Sequence, residues 1–207
     1  MLNDFVVVSA FTKKTNYESI IKNLESDCKN LKIPYYFMGY ESTGEWVENT
    51  MLKPSLILSA WGELKKSYKN LIWIDADARI NSYPKYFSRL TEEERDFSVF
   101  QMGSLSRVTS GTIFIRISDK MESFVKEWNK LCQEAKNRKG DQQCLRDLIA
   151  SGIYDYLKIN YISLPYSYCY IFDDTLRKLE PKIEPLEEPS VICHMQASRD
   201  RKNAKSN

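Results

Sequence analysis

The chain has 207 residues, 43% of them hydrophobic and 13% aromatic, with a formal charge of +2. That length buries one sizeable core and fits one domain better than two, and the near-neutral balance gives no support to a general nucleic-acid binder. No apolar run approaches the roughly 20 residues that span a bilayer, and Met1-Leu2-Asn3-Asp4 lacks the basic start of a secretory leader, so a cytoplasmic protein without a membrane span is expected.

A β-branched run over 5–11 predicts a buried first strand, followed by a polar loop over 12–16 where an α/β protein places a ligand. Ile20, Ile21, Leu24, Cys28 and Leu31 recur at helical spacing with Asn16 available as a cap, and Pro34 precedes a second strand over 35–40. The opening is therefore β-α-β. Lys53-Pro54 starts another helix, with Leu56, Ile57, Ala60, Trp61 and Leu64 as its inward stripe, and delivers the chain to a strand over 71–74.

That strand runs directly into Asp75-Ala76-Asp77. On an extended backbone positions i and i+2 share a face, so the two carboxylates project together and repel unless a cation, a proton or donor groups compensate. Hard oxygen ligands suit Mg²⁺ or Mn²⁺; the bland alternative is that both aspartates cap a turn or lie solvated on a loop.

Beyond the doublet, 83–90 predicts a short amphipathic helix and 91–95 a solvated turn or helix end. Strands over 97–102 and 112–117 flank a polar loop over 104–111, whose Gly111 would let a ligand approach the backbone. Met121, Phe124, Val125, Trp128, Leu131, Cys132 and Ala135 trace the longest helix, with Asp119 and Glu122 resembling a capping box and a basic stretch over 136–139 as its end. Asp141-Gln142 opens a helix that stops near Gly152, and short strands are expected over 161–164 and 168–172. Pro181, Pro185 and Pro189 mark a surface loop, which hands the chain to a last apolar run over 190–194 ending in the only histidine, His194. The five cysteines form no CxxC pair and read as small core residues.

The ordered set Ile74-Asp75-Ala76-Asp77, Ser110-Gly111, Asp141-Gln142 and His194, together with Lys53-Pro54, resembles the GT-A-fold, DxD-containing nucleotide-diphospho-sugar glycosyltransferases, most closely their minimal, family 8-like group. The resemblance implies a three-layer α/β/α domain over 1–195 with a mixed, mainly parallel central sheet, followed by a basic tail over 196–207. It implies a metal-dependent transfer of a hexose, glucose or galactose, from a UDP-sugar to an acceptor hydroxyl, and leans towards retention. Asp75, Asp77 and His194 take the metal-ligand roles, with Asp75 also able to meet the ribose. A single histidine is otherwise an ordinary core or surface residue. The imidazole favours Mn²⁺ over Mg²⁺.

Donor contacts are expected from Ser9, Ala10, Thr12 and Tyr17 in the first loop, from Lys53, Asp75 and Ala76, and from Ser110 and Gly111 beside the sugar. Arg199, Arg201 and Lys202 would clamp the diphosphate, or form only a frayed basic end. Asp141 is the expected catalytic carboxylate, taking the acceptor's proton or holding sugar hydroxyls, with Gln142 beside it; plain helix capping competes. Tyr17 packed on the sheet, Lys53-Pro54 as a mere helix boundary and Ser110-Gly111 as a strand-entry turn are the corresponding bland readings. The acceptor can be a saccharide, a protein or a hydroxymethylated DNA base, and no acceptor motif is readable. Two rivals stand beside this reading: a haloacid-dehalogenase-like phosphatase, which wants Thr or Val where this chain has Arg79, and a non-catalytic nucleotide-binding module on the same fold.

Overall fold

The computed structural model describes residues 3–102, 108–135, 140–179, 183–186 and 188–197. In chain order these form β1 (Asn3–Thr12), α1 (Tyr17–Asn30), β2 (Tyr35–Tyr40), α2 (Trp46–Met51), α3 (Lys53–Leu64), β3 (Tyr68–Ile74), β4 (Ala78–Ile80) and α4 (Lys85–Glu92). They continue with β5 (Phe97–Gln101), β6 (Val108–Arg116), α5 (Asp119–Glu134), α6 (Asp141–Ala150), α7 (Ile153–Leu157), β7 (Tyr161–Ser163), β8 (Tyr170–Ile171), α8 (Thr175–Leu179) and β9 (Ile192–His194).

Strand alternation builds two cores at once. Phe5, Val7, Ile72 and Ile74 face one apolar cluster with α1 and α4, while Val6, Val8, Leu71 and Trp73 face the other with α3, α5 and α6. The main sheet runs β2-β1-β3-β6-β5-β7. β1 pairs parallel with both β2 and β3, and β5 with β7; β6 alone runs antiparallel, against β3 and β5. The three-layer α/β architecture with a mixed, mainly parallel sheet is therefore as expected.

A second sheet, β4-β9-β8, stands at the carboxyl end of β3. Ala78 pairs with His194, so the last strand returns to the residues just after the aspartates. This attachment is fastened from below: buried Asp27 on α1 accepts Arg79 Nε at 2.7 Å and Nη2 at 2.8 Å, and also the backbone N–H of Ile80 at 3.0 Å. Such a bidentate, charge-assisted pair is directional as well as strong.

Several local expectations change. Helix α5 is not closed by a capping box, since Ser118 stands at the N-cap position without a side-chain cap bond and Glu122 pairs with Lys126 at 2.7 Å instead. The short elements α2, β4, α7 and α8 carry too few residues for a periodic signal. The strand expected over 168–172 shrinks to Tyr170–Ile171 behind a 3₁₀ turn, Tyr166–Tyr168. Strand β6 begins at Val108, so Ser110 and Gly111 lie within a strand rather than in an open loop. The basic stretch over 136–139 lies outside the described residues. Among the described residues no helix is long and apolar enough to cross a membrane.

Candidate active site

The β5–β6 ladder slips between Val99 and Phe100: Val99 pairs with Ile113, but Phe100 pairs with Thr109. The irregularity releases Ser110, Gly111 and Thr112 from β5 and turns them to the carboxyl end of β3, the usual place of a bulge beside a functional site. The freed carbonyls are used at once. Gly111 O accepts Asp75 N at 2.9 Å, and Ser110 O accepts Lys53 Nζ at 2.9 Å.

Lys53 enters from the first turn of α3 and is buried. Its ammonium lies 2.9 Å from Asp75 Oδ1 and 2.9 Å from Asp141 Oδ2, and donates to Ser110 Oγ at 3.2 Å. Burial alone would lower the ammonium pKa, but the Asp141 and Asp75 carboxylates more than reverse this and hold it above the ordinary lysine value. Asp141 is no side-chain cap: Gly140 occupies the N-cap position of α6, and the Asp141 carboxylate instead accepts Ser110 Oγ at 2.7 Å. The helix N-terminus favours its charge. Trp73 Nε1 donates to Asp75 Oδ1 at 2.8 Å, which orients the first aspartate of the doublet.

Asp77 is half-buried and holds the returning chain. Its Oδ2 accepts Ala197 N at 2.9 Å and its carbonyl accepts Met195 N at 3.1 Å. Burial and the neighbouring Asp75 charge push its carboxyl up to about 6. His194 is buried with Nε2 2.9 Å from Thr112 Oγ1, and burial pulls its pKa down to about 4. Its ring lies on Gly111, where a Cβ would stand 2.7 Å from His194 Cε1. The absent side chain of Gly111 thus admits the imidazole, while Gly111 also lines the larger cavity.

Two cavities meet over this floor. One, of about 400 Å³, is walled by Ala10, Thr12, Tyr17, Lys53, Asp75, Ala76 and Asp77, and by Ser110, Asp141 and Gln142. The other, of about 550 Å³, contains Asp75, Ser110, Gly111, Gln142 and His194. The residues singled out in sequence are thus brought together from six separate elements and their connections. Ser9 is the exception, being fully buried and lining neither cavity. Arg199, Arg201 and Lys202 lie outside the described residues. Sequence reasoning missed Tyr40, Trp46, Asn49 and Thr50 on the first cavity, and Arg146 and Gln196 at the second. Trp46 opens α2, a helix too short to read from its pattern, and Gln196 lies between two residues whose N–H groups bind Asp77.

The donor chemistry of Asp75, Asp77 and His194 fits a hard divalent ion. The buried imidazole is neutral at ordinary pH, and the two carboxylates offer hard oxygen donors. The three are not assembled around one point, and no group of three or more His, Cys, Asp or Glu side chains is placed to hold a metal among the described residues. Lys53 supplies the positive charge on Asp75 as the site stands.

No protein-family model matches the chain, and no curated protein matches it in sequence. Solved structures do match in fold. A glycosyltransferase involved in the glycosylation of the major capsid of PBCV-1 superposes with a TM-score of 0.63 at 15% identity, over 99% of this chain and 100% of that one. The apo form of the glycosyltransferase GlyE of Streptococcus pneumoniae TIGR4 gives 0.61 at 16% identity, over 93% of this chain and 54% of GlyE. Mouse xyloside xylosyltransferase 1 in its apo form gives 0.54 at 8% identity, over 94% and 98%. With its mixed six-stranded sheet, the chain has the GT-A-like fold of these glycosyltransferases.

Proposed function

We propose that this chain is a glycosyltransferase that moves a hexose from a UDP-sugar to an acceptor hydroxyl with the help of Mn²⁺ or Mg²⁺. The observation that carries the reading is the Lys53–Asp75–Asp141–Ser110 cluster at the junction of two cavities, an arrangement suited to joining two substrates at one point. The cavity with Tyr17, Tyr40 and Trp46 suits a nucleoside, since these rings offer stacking faces and polar tips. Asp75, Asp77 and His194 are the residues that would hold the ion. When bound, it supplies Lewis-acid neutralisation of the charge that builds on a departing diphosphate.

The chain's own groups do the rest. Asp141 spends Oδ2 on Lys53 and Ser110, which fixes its carboxylate where it can accept sugar hydroxyls, and Gln142 lines both cavities beside it. The acceptor oxygen bonds to the anomeric carbon as the bond to the diphosphate breaks. The electron pair leaves with the diphosphate, and the hydroxyl proton passes to one of its phosphate oxygens. Release of UDP from UDP-glucose by the purified chain with Mn²⁺ tests the reading, with other sugar nucleotides as further donors. Silence across that panel, with UDP still bound in calorimetry, would favour the non-catalytic module. For the phosphatase rival, the place two residues beyond Asp77 belongs to Arg79, which is committed to Asp27.

A further inference from the structure

The two cavities differ once their shared floor is left behind. The nucleoside-side cavity is walled by rings: Phe11, Tyr17, Tyr40, Trp46 and Trp73. The larger one has no Phe, Tyr or Trp among its described lining residues, His194 supplying its one ring. Gln142, Gln143 and Arg146 of α6 line one side, while Met102, Val108, Ile171, Leu176 and Leu179 make a mainly aliphatic wall that Thr175 and Gln196 interrupt. The wall continues outward. Leu179 is 60% exposed, and Phe172 and Met195, next in sequence to Ile171 and His194, are each 47% exposed.

This rim is held in place by the same strands that carry the site. Ile171 pairs with His194 across β8 and β9, and Phe172 N donates to His194 O at 3.1 Å. An apolar lip so fixed beside Gly111 and His194 faces whatever molecule enters opposite the donor. A free sugar would be served by the polar floor alone and gains little from these aliphatic side chains. An acceptor with an apolar portion gains about fourfold in affinity for each methylene it buries.

We propose that the acceptor is an amphiphile, a hydroxyl borne beside an aliphatic or aryl group. The hydroxyl lies at the floor near Asp75 and Gln142, and the apolar group lies along Ile171, Leu176 and Leu179. This rests on the transfer reaction proposed above and adds the chemical class of its second substrate.

The experiment is methyl-resolved NMR of the full chain, titrated with hexyl β-D-glucopyranoside below its micellar range and, separately, with glucose. The hexyl glucoside is expected to shift the methyl signals of Ile171, Leu176 and Leu179 and to bind at least about tenfold more tightly than glucose. In Leu179→Ser, a change at an exposed position, the hexyl glucoside affinity should fall about tenfold with the fold intact. Equal binding of both compounds, shifts confined to other methyls, or no response overturns the proposal. The titration is read without donor, so it stands apart from a second arm in which UDP and Mn²⁺ should move the Trp46 indole N–H signal. Failure of that arm alone strikes the donor reading and leaves the acceptor result standing.

Discussion

Lys53 and Asp141, on two different helices, meet as an ammonium and a carboxylate 2.9 Å apart, both buried at the floor of the smaller cavity. The pair joins α3 to α6, and Asp75 extends it to the end of β3. A buried ion pair is costly to break from one side, because the remaining charge stays in low dielectric.

Lys53→Met should therefore destabilise the fold by about 3–5 kcal/mol, since Asp141 and Asp75 lose their common partner. Adding Asp141→Asn should restore part of that loss by removing one uncompensated charge. Urea unfolding of the single and double variants checks this, and a double variant less stable than Lys53→Met would refute the charge argument.

Gly111→Ala places a methyl group 2.7 Å from His194 Cε1. Either the ring or the β6 backbone must shift, at a cost of about 1–3 kcal/mol. UDP release should fall more than stability alone explains, because the displaced ring is a proposed ligand. Thermal unfolding alongside turnover separates the two effects.

His194 is the only histidine, so its titration is read without overlap. Folded, it should stay neutral until the pH approaches about 4, whereas the unfolded chain titrates near 6.5. A depressed pKa contributes stability that is present above 6.5 and lost as pH falls towards 4, on the order of 3 kcal/mol in total. Asp77 works the other way. Its carboxyl, raised from 3.8 to about 6, makes the fold relatively more stable below 3.8, and that advantage is lost as pH rises through 6. With chelator present, Asp77→Asn should thus be more stable than the native chain at pH 7 by about 2 kcal/mol and lose this gain near pH 4. Nitrogen-detected imidazole NMR and unfolding at several pH values provide the readout.

Asp27 satisfies both the Arg79 guanidinium and the Ile80 N–H, while Arg79 is largely solvent-facing. Asp27→Ala should cost about 2–4 kcal/mol and Arg79→Ala less, because only the first also strands a buried backbone donor. Amide exchange at Ile80 should quicken in Asp27→Ala and change little in Arg79→Ala.

Periodicity made the scaffold readable. The alternating run of β1, the stripe of α3 and the long apolar face of α5 each hold enough residues for one period to dominate. Lys53 and Asp141 were legible because each opens a helix, and Asp75 because it follows a strand, and the fold brings these ends together. The wall residues Tyr40, Trp46 and Arg146 were not, since nothing local distinguishes a ring or cation facing a cavity from one facing water. The missing side chain of Gly111 is visible in sequence, but the ring packed on it is not, because that ring arrives from β9. The β5–β6 slip that exposes Ser110 is likewise a property of the paired strands and not of either one alone.

The central proposal is that Asp75, Asp77 and His194 would hold a divalent ion against a nucleoside diphosphate, and calorimetric titration of UDP with and without Mn²⁺ tests it most directly. The account expects Mn²⁺ to tighten UDP binding by about tenfold or more, about 1.4 kcal/mol, and expects that gain to vanish in Asp77→Asn. UDP binding of equal strength with Mn²⁺ and with chelator in the native chain would contradict it.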